Sequence, residues 1–288
     1  MALDRVGELR HLGWRVVVET VRSCLQHRVT GLAAEGAFFA VLSVPPLIFA
    51  LAGAVGFLTA QVDPAQVEQV RQGIIDASGA VLTSTAVDRV IEPTVNSVLR
   101  GGRFDVMSLG FVLALWSGSR ALHVFVDTIT IMHGQGGRRG IVRTRALSFV
   151  LYVLAIVTGM VTLPLVLAGP RLVGEWLPDR LDLLLGVYWP AVLALGICFL
   201  ATLYHVSVPQ RTAWRFNLPG AAFALVSWIL GSALLRAFLT ATAQDSRSIY
   251  GPLAAPIAVL LWLYLVALAV LVGAAVNAAC QQVLNPVA

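Results

Sequence analysis

The chain alternates long apolar runs with shorter polar ones, and six of the runs are long enough to cross a bilayer as helices. They cover residues 36–58, 106–126, 146–169, 183–206, 218–239 and 253–276. A bilayer core takes about 20 apolar residues per helical crossing, so each run spans it with some tilt. The sequence lacks the short segments of alternating polarity that mark barrel strands. The pattern predicts an all-α, polytopic membrane protein with six transmembrane helices. Residues 1–30 read as a cytoplasmic amphipathic segment, 31–279 as the membrane domain and 280–288 as a short cytoplasmic tail.

Two segments outside the bilayer carry helical periodicity of their own. Residues 59–103 form a long outer loop in which Val67, Val70, Ile74 and Ile75, then Val87, Val90 and Ile91, recur at helical spacing, with Pro93 and Gly101-Gly102 interrupting. Loops of this length are usually structured or functional. Two short amphipathic helices on the outer surface are expected, offering a surface to envelope proteins. Nearer the start, Leu9, Leu12, Val16 and Thr20 share one helical face, with Arg15 and Arg22 on another. That fits either an interfacial helix on the anionic cytoplasmic leaflet or an ordinary solvated helix.

Composition agrees with a membrane chain: 58% of residues are hydrophobic and 12% charged, against about 25% charged in soluble domains. All 20 basic residues are arginine. The pI of 9.6 raises the question of nucleic acid, but membrane topology accounts for basic loops more simply, and no nucleic-acid partner is expected. Arg5, Arg10, Arg15, Arg22 and Arg28, the loop arginines 138, 139, 143 and 145, and Arg211 with Arg215 fall on one side. Arg71, Arg89, Arg100, Arg103, Arg171, Arg180 and Arg247 fall on the other, with acids interspersed. The positive-inside rule then puts both termini in the cytoplasm. Five arginines and no apolar core in residues 1–30 argue against a cleavable signal peptide. Cys24, Cys198 and Cys280 are too scattered for a disulfide framework or zinc site.

Only Arg120 and Arg236 lie inside the apolar runs, and Glu35 borders the first. A charge at the bilayer centre costs about 2.5–3.5 kcal/mol even on the mildest scale, so these are the first candidates for function. Arg120, His123 and Asp127 are spaced i, i+3, i+7 and share one helical face. The alternation of spans places that trio, Glu35, His205 and Asn277 at similar depth near the cytoplasmic leaflet, where a headgroup or ion-binding cavity is one reading. A snorkelling Arg120, a helix-capping Asp127 and a Glu35–Arg120 pair that only fixes packing are the other. Arg236 lies toward the outer end of its span, where snorkelling or pairing with Asp245 accounts for it.

Ser43-Val-Pro45-Pro46 interrupts the first span, and Pro164 and Pro190 fall in the third and fourth. Proline removes a backbone donor and kinks a helix, and interrupted helices recur at transporter sites. Ala52-x-x-x-Gly56 and Ala269-x-x-x-Gly273 are small-residue contact faces, suited to packing within the chain or to an oligomer. The five histidines form no metal-binding cluster. No nucleophile elbow and no Walker loop appear. Gly134-Gln-Gly-Gly137 is glycine-rich but follows no strand, and is weak evidence for phosphate binding. No catalytic residue, metal or cofactor is expected, and any transport would be passive, gradient-driven or powered by a partner.

Several segments resemble the YihY/BrkB family of bacterial inner-membrane proteins. They are Leu-Ala-Ala-Glu-Gly-Ala-Phe-Phe-Ala-Val-Leu-Ser-Val-Pro-Pro-Leu-Ile-Phe-Ala over 32–50, Leu-Trp-Ser-Gly-Ser-Arg-Ala-Leu over 115–122 and Arg-Thr-Arg-Ala-Leu-Ser over 143–148. The most specific is Ser-Ile-Tyr-Gly-Pro-Leu-Ala-Ala from Ser248, continuing to Leu-Trp-Leu-Tyr at 261–264 and Gly-Ala-Ala-Val-Asn at 273–277. The resemblance runs from about residue 30 to 279. It implies a six-helix inner-membrane protein of a family that once carried a ribonuclease BN label, since regarded as misassigned. It also implies links to serum resistance and, in some relatives, to lipid or lipopolysaccharide export. No catalytic residues are agreed for the family, so none carries over. Many relatives have alanine at the Glu35 position, so a Glu35-dependent mechanism would belong to a subfamily.

These readings converge on a membrane transport or lipid-translocation factor in envelope maintenance. A lipid phosphate would bind among Glu35, Arg120, His123, Asp127 and Asn277, with Arg211 or Arg215 at the cytoplasmic mouth. The alternatives are a non-transporting scaffold that recruits envelope machinery through residues 59–103 and, last, a ribonuclease.

Overall fold

The computed structural model describes residues 2–59, 68, 69, 71–73, 75, 92, 93, 96, 104–176, 182–210, 213–243 and 254–284. Seven long helices run through them: α1 (Ala2–Gln26), α2 (Val29–Thr59), α3 (Phe104–Met132), α4 (Ile141–Trp176), α5 (Asp182–Ser207), α6 (Leu218–Ala243) and α7 (Ala254–Leu284), with a 3-10 turn at Trp214–Asn217 before α6. No strand occurs among the described residues. The chain falls into two compact units, Met1–Val41 with Ser119–Ala288, and Leu42–Gly118.

Five stretches are long and apolar enough to cross a membrane: Val29–Leu47, Ile141–Thr162, Tyr188–Ser207, Trp214–Thr240 and Pro256–Val283. The sixth expected run, 106–126, lies in α3, whose own Arg120, His123 and Asp127 dilute its apolar character. The chain is a polytopic helical membrane protein. Large apolar side chains stay exposed along its crossing helices, such as Val226, Leu230, Leu234 and Phe238 on α6 and Val153, Val157 and Met160 on α4. A helix apolar all round is at home only in a core or in lipid.

α2 continues through Pro45 and Pro46, and α5 through Pro190. Each proline removes a ladder donor, yet neither helix is cut at it.

In the larger unit, α7 packs along α6 and against α1, while α5 packs against both α4 and α6. α6 and α7 cross where two glycines meet. A Cβ on Gly273 would stand 2.5 Å from the Gly220 carbonyl oxygen and 2.7 Å from Tyr204 Oη. Only hydrogen fits there, the small-residue contact that membrane helices use to approach closely. The Ala269-x-x-x-Gly273 face thus serves packing within the chain, while Ala52 and Gly56 have no described side-chain surroundings.

Beside this crossing, Asn277 is fully buried. Its Oδ1 accepts from the Gly220 backbone N–H at 2.8 Å, and its Nδ2 donates to the Asn217 carbonyl at 3.1 Å. Those bonds satisfy one orphan donor at the start of α6 and tie that start to α7. Tyr204, also fully buried, donates to the Val270 carbonyl at 2.8 Å.

α3 and α4 are joined by a tight turn in which Gly134 and Gly137 adopt φ of 67° and 75°, a conformation glycine adopts without Cβ strain. The turn grips the end of α5: Arg139 donates to the Ser207 and Val206 carbonyls at 3.3 and 3.2 Å, and Gln210 N–H donates to Gln135 Oε1 at 2.7 Å. Thr130 Oγ1 adds a 3.0 Å bond to the Ser207 carbonyl. The glycine-rich loop is therefore a helix cap.

α1 turns Thr20 and Ser23 inward, with Val16 half-buried, and exposes Trp14, Val17, Val18, Val21 and Leu25. The expected apolar face through Val16 and Thr20 thus meets protein, and a second stripe about half a turn away is the open one. Thr20 tolerates burial because its hydroxyl donates to the Val16 carbonyl at 2.8 Å.

In the smaller unit, the described residues of the 59–103 loop are helical, Pro93 included, although it was expected to interrupt. Arg71 draws the segments together, with 2.7 Å to Glu68 and 3.4 Å to Glu92.

Candidate functional site

Glu35 arrives from the start of α2, and Arg120, His123 and Asp127 from α3. Arg120 Nη2 stands 3.9 Å from Glu35 Oε1, and its guanidinium lies over the Phe39 ring at 5.3 Å from the centroid. The ion pair is beyond hydrogen-bond range, so Glu35 does not consume the donors of Arg120. Both side chains are more than two-fifths exposed, at 44% and 42%. Gly36 lets α2 come close here: a Cβ on it would lie 3.2 Å from the Phe125 ring.

α4 completes the cluster. Ser148 is fully buried and donates to the Thr144 carbonyl at 2.8 Å. With its proton committed, its oxygen faces His123 Nδ1 at 3.5 Å and can accept from it. Asp127, Arg145, Arg120 and Glu35 all stand near enough to His123 to act on it electrostatically. Nη1 of Arg145 is buried without a hydrogen-bond partner among the described residues, a costly condition for a charged donor. The face Arg120–His123–Asp127 thus meets α2 through Glu35 and Phe39, and α4 through Ser148 and Arg145.

The other expected members show no recorded bond to this cluster among the described residues. Asn277 spends its amide on the start of α6. Arg215 is exposed in the 3-10 turn with its guanidinium over the Phe216 ring at 5.3 Å, and Arg211 lies outside the described residues. His205 on α5 keeps a buried Nδ1 without a partner among the described residues. Pro45 and Pro46 fall in the smaller unit.

Arg145 and Ser148 went unrecognised as site residues in the sequence. Arg145 reads there as one of four loop arginines that set topology. The available signal was its i, i+3 spacing to Ser148 at the mouth of an apolar run.

Chemically the cluster offers two guanidiniums, one half-exposed and one with a buried open donor, beside two carboxylates and an imidazole. Guanidinium forks match phosphate and carboxylate oxygens, so the arrangement suits an anionic oxygen ligand. Among the described residues no three His, Cys, Asp or Glu side chains are placed to hold a metal ion.

Comparison with known proteins bears on identity. Over 262 residues the chain is 30% identical to a protein of Bacillus subtilis (strain 168) named as ribonuclease-like, YfkH, covering 88% of this chain and 90% of that one. No solved structure matches. The family model described as virulence factor BrkB matches residues 20–287, and over that extent the chain belongs to the BrkB family.

Proposed function

We propose that the protein is a lipid-translocation factor of the bacterial plasma membrane, acting in envelope maintenance. In this reading a lipid phosphate docks at Arg120, in the cluster that also holds the open donor of Arg145. The observation that carries it is the state of the polar cluster. A dry, fully paired set of charges would speak for packing alone. Here Arg120 and Glu35 are loosely paired and two-fifths exposed, and Arg145 holds a buried donor without a partner among the described residues. An anionic oxygen ligand suits either guanidinium. The termini lie on the cytoplasmic side in this scheme, which the arginine distribution favours, and the apolar stripe of α1 rests on that leaflet.

A scaffold role is the second reading. The bridge from Arg71 to Glu68 and Glu92 gives the outer loop an order that a docking surface needs. The ribonuclease reading has the name of YfkH behind it and no catalytic constellation among the described residues.

The test is lipid movement in vesicles holding purified protein, compared between native chain, Arg120→Ala and Arg145→Ala. Loss in both variants, with unchanged elution and melting in detergent, supports translocation. Undiminished movement in both sinks the site. Movement absent from the native chain, together with loss of cellular function on deleting 59–103, favours the scaffold.

A further inference from the structure

A second arginine stands in an apolar setting far from the cluster. Arg236 is exposed near the end of α6, about 27 Å along the axis from Leu218 at 1.5 Å per residue. The Leu218 end is the one tied to the end of α5 through the 3-10 turn, and the end of α5 holds Thr130 of α3. Arg236 therefore lies toward the opposite end of the bundle from Asp127.

Between α6 and α7 at this end is a groove of about 520 Å³ lined by Leu235, Leu239, Val259, Ala258, Trp262 and Arg236. That volume is within the range of small-molecule sites, about 300–1,000 Å³. Trp262 gives its only donor, the indole N–H, to Ser232 Oγ at 3.0 Å. Its ring then offers the groove an apolar wall. Both helices are membrane-crossing, and the groove sits where their apolar windows, Trp214–Thr240 and Pro256–Val283, reach their limits. It opens at the end of both apolar windows, with one fixed positive charge and the hydroxyls of Ser232 and Thr240 beside a mostly apolar lining.

We infer that this groove holds an acyl chain of an anionic phospholipid whose phosphate pairs with Arg236. An apolar ligand would make no use of the guanidinium at the groove's edge. A small free anion would leave the groove unfilled. An amphiphile with an anionic head satisfies both through charge-assisted hydrogen bonds above and apolar burial below. This site does not rest on the Arg120 reading.

Trp262 supplies the probe. In nanodiscs of zwitterionic phosphatidylcholine, brominated phosphatidylglycerol is titrated in, and the Trp262 signal is taken as native chain minus Trp262→Phe. Quenching that saturates at low mole fraction is expected for phosphatidylglycerol and not for brominated phosphatidylcholine. Arg236→Gln should move the midpoint about tenfold or more, the size of a lost charge-assisted hydrogen bond. Ala258→Phe, which fills the groove, should remove the saturable part. Quenching that is linear and equal for the two lipids would overturn the site, as would insensitivity to both substitutions. Relief of quenching by millimolar inorganic phosphate would reassign it to a free anion. Arg236→Gln leaves the groove wall intact, so the proposal stays open to refutation even if Ala258→Phe misfolds.

Discussion

Arg120 and Glu35 face each other across α2 and α3 at 3.9 Å, and each keeps more than two-fifths of its surface open. An exposed pair of this kind is worth about 0–1 kcal/mol, so it contributes little to holding the two helices together. Glu35→Gln should therefore change stability by less than about 1 kcal/mol. Its effect on function has a definite sign. Among the described residues Glu35 is the anion paired with Arg120, and an incoming phosphate must compete with it. Glu35→Gln should tighten retention of anionic lipid through delipidation, read by native mass spectrometry, while Arg120→Ala weakens it. Equal retention in both variants would remove Arg120 from the site.

Asn277 makes the opposite case. Replacing it with leucine leaves the Gly220 N–H without its acceptor in a buried setting. An unsatisfied buried group costs about 1–3 kcal/mol, so Asn277→Leu should lower the melting temperature clearly. Lipid movement per folded molecule should stay close to native. A selective loss of movement in a stable Asn277→Leu protein would return this residue to the site.

The crossing of α6 and α7 predicts a sharper loss. A methyl on Gly273 meets the Gly220 carbonyl, Ala224 Cβ and Tyr204 Oη within 2.7 Å, and none of these is the far end of a flexible chain. Overpacking typically costs about 1–3 kcal/mol. Gly273→Ala should melt earlier in detergent than a control such as Gly159→Ala, whose added Cβ meets nothing within 4 Å.

His133, in the turn after α3, gives a pH dependence. Its Nδ1 donates to the Ile129 carbonyl at 2.8 Å, and its Nε2 is buried without a partner among the described residues. Burial holds the imidazole below its usual range, against the smaller opposing pull of that hydrogen bond. The folded chain thus takes up this proton less readily than the unfolded one. Stability from this group is intact above the unfolded pKa of about 6.5 and declines as pH falls below it. Melting should drop between pH 7.5 and 5.5, and His133→Asn should flatten part of that slope. An unchanged slope would deny His133 the role.

The crossing helices were readable because lipid imposes one rule along the whole run, and α2, α4, α5, α6 and α7 follow it. The face shared by Arg120, His123 and Asp127 was readable because helical spacing is local. Which helices meet that face was not. Asn277 lies at a suitable depth on α7, yet its neighbours are Gly220 and Asn217, because the glycine crossing draws α6 there. Arg145 looked like a topology charge, and only tertiary packing of α4 beside α3 turns it toward His123. Depth follows from one strand of sequence, whereas adjacency depends on which small residues let two helices close.

α1 carries the last prediction. Trp14, Val18, Val21 and Leu25 recur at four, three and four residues, and all are exposed, with Val17 beside them. Arg15 and Arg22, also exposed, flank that stripe by about a quarter turn at 3.6 residues per turn. Such flanking suits snorkelling beside an apolar face laid into headgroups. The opposite side, through Thr20 and Ser23, is buried while α1 packs against α7, so the helix has one orientation to offer. Spin labels at Val17→Cys and Val21→Cys, in a chain otherwise free of reactive cysteine, should collide more with oxygen than with a water-soluble nickel chelate. A label at Gln26→Cys, off the stripe and exposed, should show the reverse. Equal access to the chelate at all three positions would mean that α1 stands in water and not in headgroups.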